Sequence, residues 1–197
     1  MADTYLTLAR PSEAIFREKM SKFLAFAHPA STVEEAKAVI AQYQKKYFDA
    51  RHVCWAYMLG FERTDFQSSD NGEPSGTAGK PILGQINSFG LTDTVIVVVR
   101  YFGGIKLGTS GLIAAYREAA RLSLEEAEIV ERKVMKQIEF TFPYLSMNDV
   151  MRLVKQSNLE ILSQQFDNAC AMTLAVRADD YDTLTSRLRD IDGVSLL

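Results

Sequence analysis

Ten of the eleven glycines in this chain fall between Gly60 and Gly111, and most of them sit in two loops on either side of one apolar strand. The first loop reads Ser69-Asp-Asn-Gly-Glu-Pro-Ser-Gly-Thr-Ala-Gly-Lys-Pro81, and the second reads Arg100-Tyr-Phe-Gly-Gly-Ile-Lys-Leu-Gly-Thr-Ser-Gly111. Between them Thr94 to Arg100 is β-branched almost throughout, as suits a strand buried on both faces. Glycine lets a backbone take positive φ and approach a neighbour or ligand closely, at an entropic cost that an ordinary surface loop has no reason to bear. Function is expected in these loops, as a binding surface more than as a centre of chemistry.

Composition narrows the class. A 47% hydrophobic and 24% charged chain of 197 residues is ordinary for a globular protein of one large or two small domains, so disordered and fibrous classes are set aside. No apolar run approaches the roughly 20 residues that span a bilayer, and no secretory h-region follows Met1, so a cytoplasmic protein without membrane contact is expected. Cys54 and Cys170 lie far apart, which fits a reducing compartment and no disulfide framework. A net charge of −3 argues against a whole-surface hold on nucleic acid. Locally the balance reverses, since Arg100 to Arg121 carries four cations (Arg100, Lys106, Arg117, Arg121) against Glu118 alone. Any polyanion contact is therefore a patch.

The order of elements predicts an α+β chain of two domains, residues 1–131 and 132–197. A strand at Lys22 to Ala27 is closed by Pro29, and Ser31-Thr32 with Glu34-Glu35 starts a helix reaching about Tyr47. Arg51 to Phe61 reads as a second strand, with a short returning strand near Gln67. Pro81 opens a short helix, and Leu112 to about Val130 forms a longer one with Leu112, Tyr116 and Ala119/Ala120 on its buried stripe. The pattern resets near Glu131. Strands at Val134–Phe142, Leu159–Phe166, Ala169–Val176 and Val194–Leu197, a turn at Asp167-Asn168, and helices starting near Ser146 and Asp179 give β-α-β-β-α-β, the ferredoxin-like order.

Candidate site residues cluster in the loops. A strand leading through Gly103, Gly104 and Gly108 into a helix places backbone N–H groups and a positive helix end around an anion, with Lys106, Thr109 and Ser110 as further donors. The same glycines also fit a tight strand-to-helix crossover with no ligand. The first loop offers Ser69, Gly72, Ser75, Gly76, Thr77 and Lys80, while Asp70 and Glu73 serve as acids or as turn caps. Gly79-Lys80 is no phosphate-binding P-loop, because Pro81 stands where Ser or Thr should hold magnesium. His52 and Cys54 share one face of a strand, yet two ligands make no zinc site. No metal and no cofactor are expected. Tyr101, beside Arg100, is the aromatic best placed to stack on a base.

Asp70 to Leu83 and Val99 to Gly108, with Gly111-Leu and Ala115-Tyr116 after them, resemble the signature of the IMPACT (YigZ-like) family, bacterial two-domain type. Ser21-Lys-Phe-Leu-Ala25 and Asp49-Ala-Arg-His52 fit it too. Ala114 departs from it, standing where a basic residue is common, which makes the patch weaker by one charge. The resemblance implies a first domain like elongation factor G domain IV and the GHMP kinases, a second like elongation factor G domain V, and a link to translation. The leading expectation is a cytosolic RNA- or ribosome-associated binding protein, a regulator of translation, with no catalytic residue identified. The alternatives are a phosphate- or nucleotide-dependent enzyme and a regulator acting on a protein partner.

Overall fold

Strands and helices run from Thr4 to Leu196 in the computed structural model, which describes residues 4–167 and 169–197. In chain order they are β1 (Thr4–Leu8), β2 (Ser12–Glu18), β3 (Ser21–Pro29), α1 (Val33–Lys46), β4 (His52–Leu59), β5 (Asp65–Ser69), α2 (Gly79–Ser88), β6 (Thr94–Tyr101), α3 (Gly108–Glu125) and β7 (Ile129–Lys133). There follow β8 (Met135–Phe142), α4 (Met147–Gln156), β9 (Glu160–Phe166), β10 (Cys170–Arg177), α5 (Tyr181–Arg189) and β11 (Ser195–Leu196). The chain is thus of mixed α and β type with several sheets, in two bodies: Tyr5–Arg132, and Thr4 with Lys133–Leu197. No helix among the described residues is long and apolar enough to cross a membrane.

The larger body is built on a five-stranded antiparallel sheet of order β2-β3-β6-β4-β5. Its central strand explains its own composition. Ile96 and Val98 point into one core with Ile82 and Ile86 of α2 and Leu112, Tyr116 and Ala119 of α3. Val95, Val97 and Val99 point into a second core with Ala36, Ile40 and Tyr43 of α1. Helices cover both faces, so every residue from Thr94 to Arg100 is buried and β-branched side chains pack both ways. α1 begins as its sequence dictates, with Thr32 accepting from Glu35 N at 3.1 Å and Glu35 reaching back to Ser31 N at 2.7 Å.

Several boundaries differ from the sequence reading. α2 starts at Gly79, so Pro81 is its third residue. α3 starts at Gly108, ahead of the expected Leu112, and ends at Glu125; the segment beyond, read as helix, is β7, paired with β1. β1 and β2 went unread. β2 joins β3 through Lys19 and Met20, both at positive φ (45° and 64°), so this tight hairpin lacks the usual Asn or Gly signal.

The smaller body is a four-stranded antiparallel sheet of order β11-β8-β10-β9, with its core drawn from Ile138, Phe140, Met172 and Leu174 and from α4 and α5. Its β-α-β-β-α-β succession follows the sequence pattern. α5 starts at Tyr181 and not after an Asp179 cap, because Ala178–Asp180 first forms a 3-10 turn. The Asp167-Asn168 turn includes Asn168, which lies outside the described residues.

Candidate functional site

Strand register assembles the site. Alternation along β4 and β6 puts His52, Cys54, Val98 and Arg100 on the α2/α3 side, and the antiparallel pairing sets His52 directly opposite Arg100 and Arg100 opposite Phe23. Arg100 at the end of a buried strand needs a counter-ion, and the first glycine loop supplies it. Glu73 Oε1 accepts from Arg100 Nη1 at 2.7 Å and from the Tyr116 hydroxyl at 2.7 Å, with the two charged side chains 7% and 3% exposed. The guanidinium lies over the rings of Phe23 and Phe102, 5.7 and 5.6 Å from their centroids. Its Nε is buried and has no hydrogen-bond partner among the described residues.

Beside this pair, His52 Nδ1 lies 3.0 Å from the Asn71 carbonyl, which can only accept, so the ring proton sits on Nδ1. Nε2 lies 3.9 Å from Glu73 Oε1. Asn71 Oδ1 also accepts from Val53 N at 2.9 Å, locking the loop onto β4. Beneath, the Cys54 thiol donates to the Asp70 carbonyl at 2.9 Å and lies 3.4 Å from the Tyr116 hydroxyl. Burial, with the nearby Glu73 and Asp70 charges, pushes its pKa up to about 12, against the smaller opposing effects of the Tyr116 hydrogen bond and the Arg100 charge. A thiol so held is no nucleophile near neutral pH.

Residues of both loops line one cavity of about 400 Å³. Glu73 and Pro74 come from the first loop, Phe102, Lys106 and Thr109 from the second, and Arg51 and His52 from the start of β4. The cavity lies at the N-terminus of α3, an 18-residue helix with Leu107 at its cap position, no side-chain cap and no acid in its first turn. Its first N–H groups therefore lack the side-chain acceptor that usually satisfies them. Gly108 stands there at φ 74° with open space where a Cβ would project. Gly103 serves packing: a Cβ there would lie 2.0 Å from the Met20 carbonyl carbon in the β2–β3 turn.

The other expected site residues are dispersed. Asp70 accepts from the backbone N–H groups of Gly76, Gly79 and Ala78 at 2.7, 2.8 and 3.0 Å. Burial pushes its carboxyl upward, but those three amides and the Lys80 charge prevail and hold it below the ordinary value. Asp70 thus reaches from outside the helix to hold the N–H groups at the start of α2, whereas Glu73 is a buried counter-ion. Thr77 donates to the Pro74 carbonyl at 2.6 Å, Ser69 accepts from Asn71 N at 3.3 Å, and Gly72 packs on the His52 ring. Ser75 and Gly104 are exposed, and Gly76 and Lys80 line a separate cleft with Arg117. Tyr101 points to the α1 side of the sheet, donating to Asp49 at 2.8 Å. The expected basic patch is halved: Arg100 is neutralised by Glu73, and Arg121 pairs with Glu118 and Glu125. Lys106 and Arg117 make no ion pair among the described residues. Tyr116 is core, as its place on the buried stripe of α3 requires, and its hydroxyl also reaches the site; the signal was that a buried Tyr hydroxyl requires a partner.

A family model described as the Impact N-terminal domain matches residues 19–124. An IMPACT family member of Haemophilus influenzae is 34% identical over 189 residues, covering 93% of this chain and 91% of that protein. The IMPACT family member YigZ of Escherichia coli is 30% identical over 196 residues, covering 98% of this chain and 96% of that protein. A crystal structure described as that of a hypothetical protein, 29% identical, superposes with a TM-score of 0.81 over 100% of this chain and 98% of its own. With both loop motifs inside the matched segment, the chain belongs to the IMPACT family.

Proposed function

We propose that this chain is an RNA- or ribosome-associated binding protein that grips a backbone phosphate in the cavity between its glycine loops. The observation that carries the reading is the uncapped start of α3 opening beside Lys106 and Arg51, over an Arg100 whose buried Nε has no partner. A helix N-terminus of this kind favours an anion through its free N–H groups and its dipole. Because Arg100 and Glu73 cancel, the cavity's charged lining keeps Arg51 and Lys106 in excess, even though the whole chain is acidic. A role in translation control follows from the family resemblance.

Binding to single-stranded RNA, to ribosomal subunits and to ATP, each at two salt concentrations, tests this reading. RNA should bind, and Lys106→Ala should weaken it for all sequences alike, lowering the salt slope by about 0.7 for one lost contact on a single strand. Stability should stay within about 0.5 kcal/mol, since Lys106 is exposed. If Lys106→Ala binds RNA as tightly as the parent with the same salt dependence, the reading is wrong. A second reading, a phosphate-dependent enzyme, draws on His52 as a general base, with Nδ1 oriented by the Asn71 carbonyl and Nε2 3.9 Å from Glu73 Oε1. It predicts that ATP or a small phosphorylated substrate is turned over, that His52→Ala abolishes turnover, and that RNA is ignored.

A further inference from the structure

We propose that the cleft between α2 and α3 is a second phosphate subsite, so that the ligand is a strand of several RNA nucleotides laid across two cavities. This rests on the phosphate reading of the first cavity. The cleft encloses about 370 Å³ and is lined by Gly76, Lys80, Gln85, Ser88, Ile113 and Arg117 among others, with no carboxylate in its lining. Lys80 and Arg117 are both exposed. Arg117 makes no ion pair among the described residues, whereas Arg121, one turn further along α3, is held by two glutamates. Lys80 lies near Asp70, but that carboxylate already accepts three backbone N–H groups.

The two cavities draw on the same loop and the same helix. Pro74 lines the first and Gly76 the second, two residues apart in one loop. Thr109 lines the first while Ile113 and Arg117 line the second. Spaced by four, these three residues form one stripe along α3. From Thr109 to Arg117 is about 12 Å at a rise of about 1.5 Å per residue, more than a lone phosphate can bridge. A ligand that meets Lys106 and Arg117 together must carry several anionic groups along its length. Phe102, 54% exposed at the first cavity, favours a nucleic acid over an acidic peptide, because a base can stack on it.

The test compares the parent, Lys106→Ala and the double variant Lys80→Ala/Arg117→Ala. The probes are a fluorescent 12-nucleotide single-stranded RNA and a 5′-phosphorylated dinucleotide, each titrated across salt, with thermal unfolding as the folding control. On the 12-mer the double variant should lower the salt slope by about 1.4, two contacts at about 0.7 each. Its affinity for the dinucleotide should match the parent's, whereas Lys106→Ala should weaken both probes. A double variant with the parent's slope on the 12-mer, beside a weakened Lys106→Ala, overturns the second subsite and leaves the first standing. A double variant weakened on the dinucleotide overturns it as well. If the parent binds neither probe, the phosphate reading fails and this inference falls with it.

Discussion

The first glycine loop leads into α2 and the second into α3, and at sequence level the two helix starts look alike: glycines, hydroxyls and one lysine each. Their electrostatics are opposite. At α2 the chain reaches back with the Asp70 carboxylate, which accepts from Ala78 and Gly79 across eight and nine residues. That helix end already holds its anion. At α3 no acid stands in the first turn and, among the described residues, no side chain accepts from its first N–H groups, while Lys106 and Arg51 line the cavity in front of it. A glycine-rich entry to a helix therefore says little about ligand binding until the acceptors for its N–H groups are traced. Only the unsealed start has free N–H groups left for a ligand.

Glu73 holds the sealed loop against the sheet, so its removal should have the largest effect. Glu73→Ala leaves the Arg100 guanidinium buried without a counter-ion, and breaking such a pair costs about 3–5 kcal/mol, to be read from urea unfolding. A loss under about 1 kcal/mol would mean that the first loop is not tethered there. Asp70→Ala should cost about 0.5–2 kcal/mol as a lost helix cap. Because the folded Asp70 carboxyl sits below its ordinary value of 3.8, its contribution is present above that pH and lost as pH falls through the lowered folded value. Parent and variant stabilities should therefore converge in acid. Cys54, with its pKa pushed up to about 12 beneath this loop, should resist thiol reagents at pH 8 in the parent and react faster in Asp70→Ala. Smaller still, and opposite in sign, Ser110→Glu should stabilise α3 by about 0.3–1 kcal/mol while weakening RNA binding, since it gives the open end an acid of its own. Lys80→Glu in the first turn of α2 should bring no such gain, because Asp70 is already there.

Much of the fold was legible because side-chain period and core placement agree. The β-branched run of β6 packs into two cores, α1 carries a readable capping box, and the β-α-β-β-α-β succession alternates in register. β1, β2 and β7 were not legible. β2 is a half-exposed edge strand mixing Glu13, Arg17 and Glu18 with Ala14 and Phe16, and its turn uses Lys19 and Met20 where glycine is usual. At the site, the sequence named both loops and His52, but it could not apportion the charges. That Arg100 is spoken for by Glu73, and Arg121 by two glutamates of its own helix, depends on tertiary reach and on rotamers along α3. Nor could it separate Arg100 from Tyr101 until β6 set which of two adjacent side chains faces α3.

Backbone amide shifts recorded while the parent is titrated with single-stranded RNA test the contrast between the two helix starts most directly. The account predicts that Gly108, Thr109 and Ser110 at the start of α3 move with the titration by more than Ala78 and Gly79, whose N–H groups Asp70 already holds. Shifts confined to Ala78 and Gly79, or saturable binding that leaves Gly108 to Ser110 unmoved, would contradict it.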